Sequence, residues 1–268
     1  MERQRTPHLM TGAEPFFYPG NEVGCLVLHG LCASPAEVRW LGEDLAAQGY
    51  TVYGPRLAGH GTDYREMAHI HWHDWYLSVL DGYALLRSQC QQVFVLGLSM
   101  GGLLGLMLAA AEPIDGLVVM GSPLKLPNER LLALTGLIRY VRPFVDAPDR
   151  SDFPLRLMDE QKRRGEPALG RVRYDRWASR GVEMFYALMR AVDTHLPGVT
   201  EPTLLIYSQA DETVPFENMD YLRKRIGSTL IETCVLEKSG HILTQDREHA
   251  EVFRRAAAFI SQLTHKNA

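Results

Sequence analysis

The chain is poor in several features that would assign a class at once. Four cysteines in 268 residues, Cys25, Cys32, Cys90 and Cys234, are scattered without a CxxC pair. That excludes a disulfide framework and reads as small buried hydrophobes in a reducing compartment. Positive charge is not in surplus: the net charge is −4 and the pI near 6.2, so no electrostatic footprint for a phosphate backbone exists and nucleic acid is not an expected partner. Long apolar runs are missing. The longest, Gly101 to Ala111, is too short to span a bilayer, and the start MERQRTPHLMTGAEP carries positive charge with no apolar h-region behind it. A cytoplasmic protein without stable membrane insertion is expected. Internal repeats and low-complexity tracts are also missing. What remains, 46% hydrophobic and 22% charged residues, argues against disorder and coiled coil. A chain this long can bury roughly three quarters of its unfolded surface, so one domain over 1–268 needs no staples.

Short β-rich apolar runs recur along the chain: Val23 to Leu28, Thr51 to Tyr53, Val93 to Leu96, Leu117 to Met120, Thr203 to Tyr207 and Ile231 to Leu236. Helix-like segments fall between and after them: Pro35 to Gln48, Trp72 to Ser88, Met100 to Ala111, Glu217 to Ile226 and Arg247 to Leu263. Ser34-Pro35 reads as N-cap and first-turn proline of the first helix. The alternation implies a mostly parallel central sheet, and continuously apolar strands imply helices on both of its faces. Between Pro123 and Pro202 the strand rhythm stops. Two helical patterns, Glu129 to Val141 and Val182 to Val192, flank a Pro- and Arg-rich stretch, which reads as an inserted helical cap at about 124–200. From Asp149 to Arg180 nine Lys or Arg face six Asp or Glu. A solvated face is the plain reading, and attraction of an anionic lipid or substrate the alternative.

The sharpest local signal is Val93-Phe94-Val95-Leu96-Gly97-Leu98-Ser99-Met100-Gly101-Gly102: a strand, then G-x-S-x-G, then a helix. Glycines where such a turn is tightest let the backbone hold Ser99 in a strained conformation with its hydroxyl raised above the sheet edge. A serine hydroxyl needs a base, and the base an orienting acid, in the chain order Ser, acid, His. Asp211 falls in the loop after the run Thr203 to Tyr207, where ligand and catalytic groups belong. His241 follows the last strand in Glu237-Lys238-Ser239-Gly240-His241, and the glycine is expected to turn that loop sharply. Ten histidines make any one of them weak evidence; position selects His241. Glu212 is the competing acid, though adjacent loop residues usually point apart. Acyl transfer also needs donors for the tetrahedral oxyanion, each contributing roughly 3 to 4 kcal/mol to the transition state. The backbone amides of Met100, at a helix N-terminus, and of Leu31, in His29-Gly30-Leu31-Cys32, are the candidates.

The motifs HGLCAS, GPRLAGHGT, GLSMGG, QADETVP and SGHILTQD, in this order, resemble an α/β-hydrolase, and are especially similar to compact bacterial carboxylesterases that shade into monoacylglycerol lipases. The resemblance runs from about Glu22 to Leu263 and is weak in the cap. It implies an α/β-hydrolase fold with Ser99 as nucleophile, Asp211 as acid, His241 as base, and the amides of Leu31 and Met100 as oxyanion hole. It also implies that Gly59-His60-Gly61 is a structural turn at the site's rim, so that His60 is scaffold. Cys32 departs from the pattern as a thiol beside the oxyanion hole, either an inert small residue or an oxidisable one. His69, His71 and His73 invite a metal reading, but alternate spacing at a helix start does not put three imidazoles on one face, and no metal is expected.

Serine at the elbow excludes haloalkane and epoxide chemistry, which use Asp there, and leaves acyl transfer to water through an acyl-enzyme. No metal or organic cofactor is needed. The expected substrate is a small-molecule ester with an apolar acyl chain of short to medium length, held by Leu31, Met100 and cap residues. Met184, Phe185, Leu188 and Met189 suit an acyl chain, and equally suit the core of the cap itself. A monoacylglycerol lipase acting on longer chains and a catalytically inactive ligand-binding member of the fold are the alternatives.

Overall fold

The structure, a computed structural model, describes residues 8–127, 135–147 and 152–266. The sheet is built on the apolar runs. Its strands are β1 (Phe16–Tyr18), β2 (Val23–Leu28), β3 (Thr51–Gly54), β4 (Gln92–Leu98), β5 (Gly116–Met120), β8 (Thr203–Ser208) and β9 (Ile231–Leu236), in the spatial order β1-β3-β2-β4-β5-β8-β9. All pairs are parallel except β1 with β3. All six expected strands are present, each extending at most two residues beyond its apolar run. β1 was not legible, because three residues cannot display a period.

Helices α1 (Ala36–Ala47), α2 (Trp72–Arg87), α3 (Met100–Ala109), α7 (Glu217–Arg225) and α8 (His249–Lys266) follow the expected segments. Alternate residues of β4 explain why helices are needed on both faces. Val93 and Val95 enter a core with α2 and α3, whereas Phe94, Leu96 and Leu98 enter a second core with α1 and α8. β9 differs from the expectation of full cover: as an edge strand it leaves Thr233 and Val235 exposed. The N-terminus of α1 also differs. Pro35 caps it without a side-chain hydrogen bond, and the Ser34 hydroxyl instead donates to the distant Val172 carbonyl at 2.7 Å.

The sheet order reverses at β2, since β3 lies on one side of it and β4 on the other. Strand C-termini at such a reversal open a crevice in which ligands bind. The long β5–β8 connection crosses this end of the sheet. Its described elements are α4 (Thr135–Ile138), the antiparallel pair β6 (Phe144–Asp146) and β7 (Arg176–Ala178), α5 (Phe153–Arg163) and α6 (Ser179–His195). The helical pattern at 129–141 lies partly outside the described residues, and within them the helix α4 stops at Ile138, with 139–141 a turn instead of its last residues; α6 is longer than its pattern; α5 was hidden in the Arg-rich stretch. Met184, Leu188 and Met189 of α6 pack into the α2/α3 core, while Phe153 and Leu157 of α5 pack into the α1/α8 core. The connection therefore grips both faces.

The Arg-rich stretch is more than a solvated face. Arg156 pairs with Asp246, Arg164 with Glu43 and Arg171 with Glu37, so its surplus cations answer carboxylates of the acidic sheet-and-helix body. Among the described residues no helix is long and apolar enough to cross a membrane.

Candidate active site

Ser99 occupies the turn between β4 and α3 with φ 55° and ψ −116°, a backbone region costly for any L side chain and kept only where surroundings enforce it. The enforcement is visible. The Ser99 amide donates to the Met120 carbonyl at 2.8 Å, and the Ser122 hydroxyl donates to the Ser99 carbonyl at 2.8 Å. Helix and strand approach so closely that a Cβ on Gly97 would stand 2.3 Å from the Gly101 backbone, and one on Gly101 would stand 2.2 Å from the Leu28 carbonyl oxygen. The two glycines of G-x-S-x-G are thus required by packing between backbones.

Asp211 leaves the end of β8. Its Oδ1 accepts the amides of Thr213 at 2.8 Å and Val214 at 3.0 Å, which orients Oδ2 toward His241 Nδ1 at 2.8 Å. Burial alone would raise this carboxyl; the electrostatic attraction of the His241 ring and its hydrogen bond, with the two amides, outweigh it and hold Asp211 below the usual carboxylate range. With Nδ1–H donating to Asp211, His241 Nε2 is left as an acceptor for the Ser99 hydroxyl at 3.0 Å. Ser99, His241 and Asp211, brought together from three loops, thus form one hydrogen-bonded series. Glu212 is exposed and outside it.

The loop carrying His241 is held by two acids of the segment leading into α8. Glu248 accepts the amides of Lys238 and Ser239 at 2.8 Å each, and Asp246 accepts the Gly240 amide at 2.7 Å. Gly240 was expected to supply a sharp turn; among the described residues it is not one of the positive-φ glycines, and its placement comes from Asp246. Gly121, at the end of β5, is different. Its φ is +53°, and a Cβ there would lie 3.6 Å from Asp211 Oδ2 and 3.8 Å from His241 Cε1. Sequence patterning did not single it out.

The amides of Leu31 and Met100 donate to no other described protein group. Their loops adjoin, because α3 begins against the Leu28 and His29 carbonyls and the Gly30 Cα faces Ser99. Leu31 is half-buried; the Met100 side chain is fully buried in the core and lines no open surface. Cys32 adopts a φ of 57° and is buried, which pushes its thiol well above the ordinary value and leaves it protonated. His60 is fully buried with Nδ1 3.0 Å from the Ala58 carbonyl, and burial lowers it to about 4. His71 caps α2 and lies against His73, and no group of three or more ligand-type side chains able to hold a metal occurs among the described residues.

A protein-family model described as "Serine aminopeptidase, S33" matches residues 21–248. The thermostable monoacylglycerol lipase of Bacillus sp. (strain H-257) is 33% identical over 258 residues, 95% of this chain and 96% of that protein. The carboxylesterase of Bacillus subtilis (strain 168) is 27% identical over 251 residues, 93% and 97% of the two chains. A solved structure from work on the metagenome-derived lipolytic enzymes LipS and LipT superposes with a TM-score of 0.85 at 30% identity, covering 95% of this chain and all of the other. The chain therefore belongs to the S33 family of α/β-hydrolases, and it is esterase- and lipase-like in sequence and fold.

Proposed function

We propose that the protein is a serine carboxylic ester hydrolase acting on esters of short to medium acyl chains. The single observation that carries this reading is the hydrogen-bonded series Ser99 Oγ, His241 Nε2, His241 Nδ1, Asp211 Oδ2, with separations of 3.0 and 2.8 Å. In the cycle, His241 Nε2 takes the Ser99 proton as Oγ attacks the ester carbonyl. The oxyanion is held by the amides of Leu31 and Met100. The alkoxide departs with the proton from His241, and water, deprotonated by the same imidazole, releases the acid from the acyl-enzyme. Asp211 remains ionised throughout and fixes the imidazole tautomer.

In this reading the chain is one hydrolase domain, and the described residues of the insertion at about 124–200 form a cap over the site. Leu31 packs against the apolar cluster that contains Met184, Phe185, Leu188 and Met189, which supports an apolar acyl group on that side. The four cysteines are free and buried, in keeping with a cytoplasmic location. A second reading, monoacylglycerol lipase, is favoured by the 33% identity to the Bacillus enzyme of that name. The family's descriptive name raises amide hydrolysis as a third possibility to be tested alongside.

The test is turnover of p-nitrophenyl esters from two to sixteen carbons, of a 1-monoacylglycerol and of an amino-acid p-nitroanilide, by wild type and Ser99→Ala. Turnover peaking at short or medium esters and falling by about 10⁴-fold or more in Ser99→Ala is expected. A long-chain or monoacylglycerol peak selects the lipase; a preference for the anilide overturns the ester reading; apolar ligand binding without any turnover makes it an inactive binding member.

A further inference from the structure

The Gly30–Leu31 peptide, which presents one of the two oxyanion amides, is held through its carbonyl, and the peptide before it through the Gly30 N–H. Leu57 N–H donates to His29 Nε2 at 3.2 Å, so the His29 proton sits on Nδ1, which donates to the Gly30 carbonyl at 2.9 Å. In a trans peptide the following N–H points opposite to the carbonyl, and the Leu31 amide therefore points away from His29. In the peptide before it the Gly30 amide donates to Glu37 Oε2 at 3.3 Å. Glu37 lies on α1, 8% exposed at its side chain, and its other oxygen accepts Arg171 Nη2 at 3.0 Å. A carboxylate this buried needs a cation, and Arg171, in the β5–β8 connection, is the cation paired with it.

Two further bonds join the same segments: the Ser34 hydroxyl to the Val172 carbonyl at 2.7 Å and the Tyr174 amide to the Cys32 carbonyl at 2.9 Å. Residues 171–174 are thereby laced along residues 30–34, a loop whose Cys32 has a φ of 57° and would relax without restraint. We propose that Arg171 is a positioning residue for the oxyanion hole: it fixes the Glu37 carboxylate that holds the Gly30 amide, and so makes the setting of the Leu31 N–H depend on the cap being seated. Transition-state stabilisation is then coupled to the seating of residues 171–174 through the Arg171–Glu37 pair, which acts beside the two hydrogen bonds that tie the same segments. The inference rests on the assignment of Ser99 and Leu31 made above.

Arg171→Ala, Arg171→Lys and Glu37→Gln are compared with wild type and with the control Arg163→Ala, an exposed side chain that pairs with Glu160 one turn away. Readouts are kcat and KM on p-nitrophenyl butyrate, the inhibition constant of an alkyl trifluoromethyl ketone, and melting temperature. The ketone forms a hemiketal with a serine hydroxyl and places its oxyanion in the hole. Complete loss of one oxyanion donor costs about 10²–10³ in kcat, so a misplaced donor is expected to cost about 10- to 100-fold. KM should stay within about twofold of wild type and the ketone should weaken by the same factor as kcat. Arg171→Lys should recover part of the loss, because the charge remains while the planar fork does not.

A kcat within about twofold of wild type in Arg171→Ala and Glu37→Gln, or a fall in kcat with ketone affinity unchanged, overturns the proposal. If Arg171→Ala does not fold, Arg171→Lys and Glu37→Gln decide it by the same two criteria. Wild-type protein that neither turns over esters nor is inhibited by the ketone would end the functional assignment itself, an outcome distinct from an active wild type indifferent to Arg171.

Discussion

His241 Nδ1 stands 2.8 Å from Asp211 Oδ2, and the other oxygen of that carboxylate is already committed to the amides of Thr213 and Val214. The acid is oriented before it meets the imidazole. It cannot swing to another partner without leaving two backbone donors unpaired, and this rigidity fixes the tautomer that leaves Nε2 facing Ser99.

Asp211→Asn retains the shape but can donate a proton toward Nδ1, which favours the wrong tautomer. A fall in kcat of about 10⁴-fold on a p-nitrophenyl ester is expected by analogy with serine proteases. Glu212→Ala should remain within about twofold, because that side chain is exposed and outside the series. Steady-state kinetics of the two variants check this; a larger loss in Glu212→Ala would move the acid by one residue.

Ser99 is held at φ 55°, and glycine adopts that region freely. Ser99→Gly should therefore abolish turnover while raising stability by about 1 kcal/mol, the relieved strain exceeding the added entropy of the unfolded glycine. For a chain of this size that is roughly 2–4 °C in melting temperature. A melting temperature below wild type would show that the turn is unstrained, or that the hydroxyl contributes more than it costs.

Two buried imidazoles set the acid limit of stability. Burial lowers His29 well below the ordinary value and His60 to about 4, so both stay neutral in the folded chain while the unfolded chain protonates near 6.5. The unfolded state then binds more protons, and stability, complete above pH 6.5, is lost as pH falls through that window. The loss approaches about 1.4 kcal/mol per pH unit for each histidine. Asp211, held below its unfolded value, adds stability that is present above about pH 4 and lost below it as the folded carboxyl protonates. Urea unfolding from pH 7.5 to 4.5 should show decline beginning near 6.5 and a shallower slope in His60→Gln. A flat profile down to pH 5 would contradict the assignment.

The strands were legible because short, β-branched apolar runs such as VFVL and LLIY, bounded by turn residues, suit strands of a sheet covered on both faces, and Phe94 and Val95 indeed enter opposite cores. The candidate site was legible for a related reason. Ser99, Asp211 and His241 each follow a strand C-terminus, and strand ends are what sequence periodicity locates well. α5 was missed because its apolar residues, Phe153, Leu155, Leu157 and Met158, are followed at once by the polar run Asp159 to Arg163, and because the Asp246 partner of Arg156 lies 90 residues further along the chain.

By itself, then, the sequence determined the parallel sheet, the strand-turn-helix around Ser99 and the three loops that converge on it, since these follow from local hydrophobic pattern and from glycines placed where backbones must touch. Only the tertiary structure decided which oxygen of Asp211 meets His241, that Asp246 and Glu248 hold the His241 loop, and that Arg171 answers Glu37 across 134 residues of chain. Those contacts depend on directed hydrogen bonds and buried charge between distant segments, and one-dimensional patterning carries no information about which distant donor will face which acceptor.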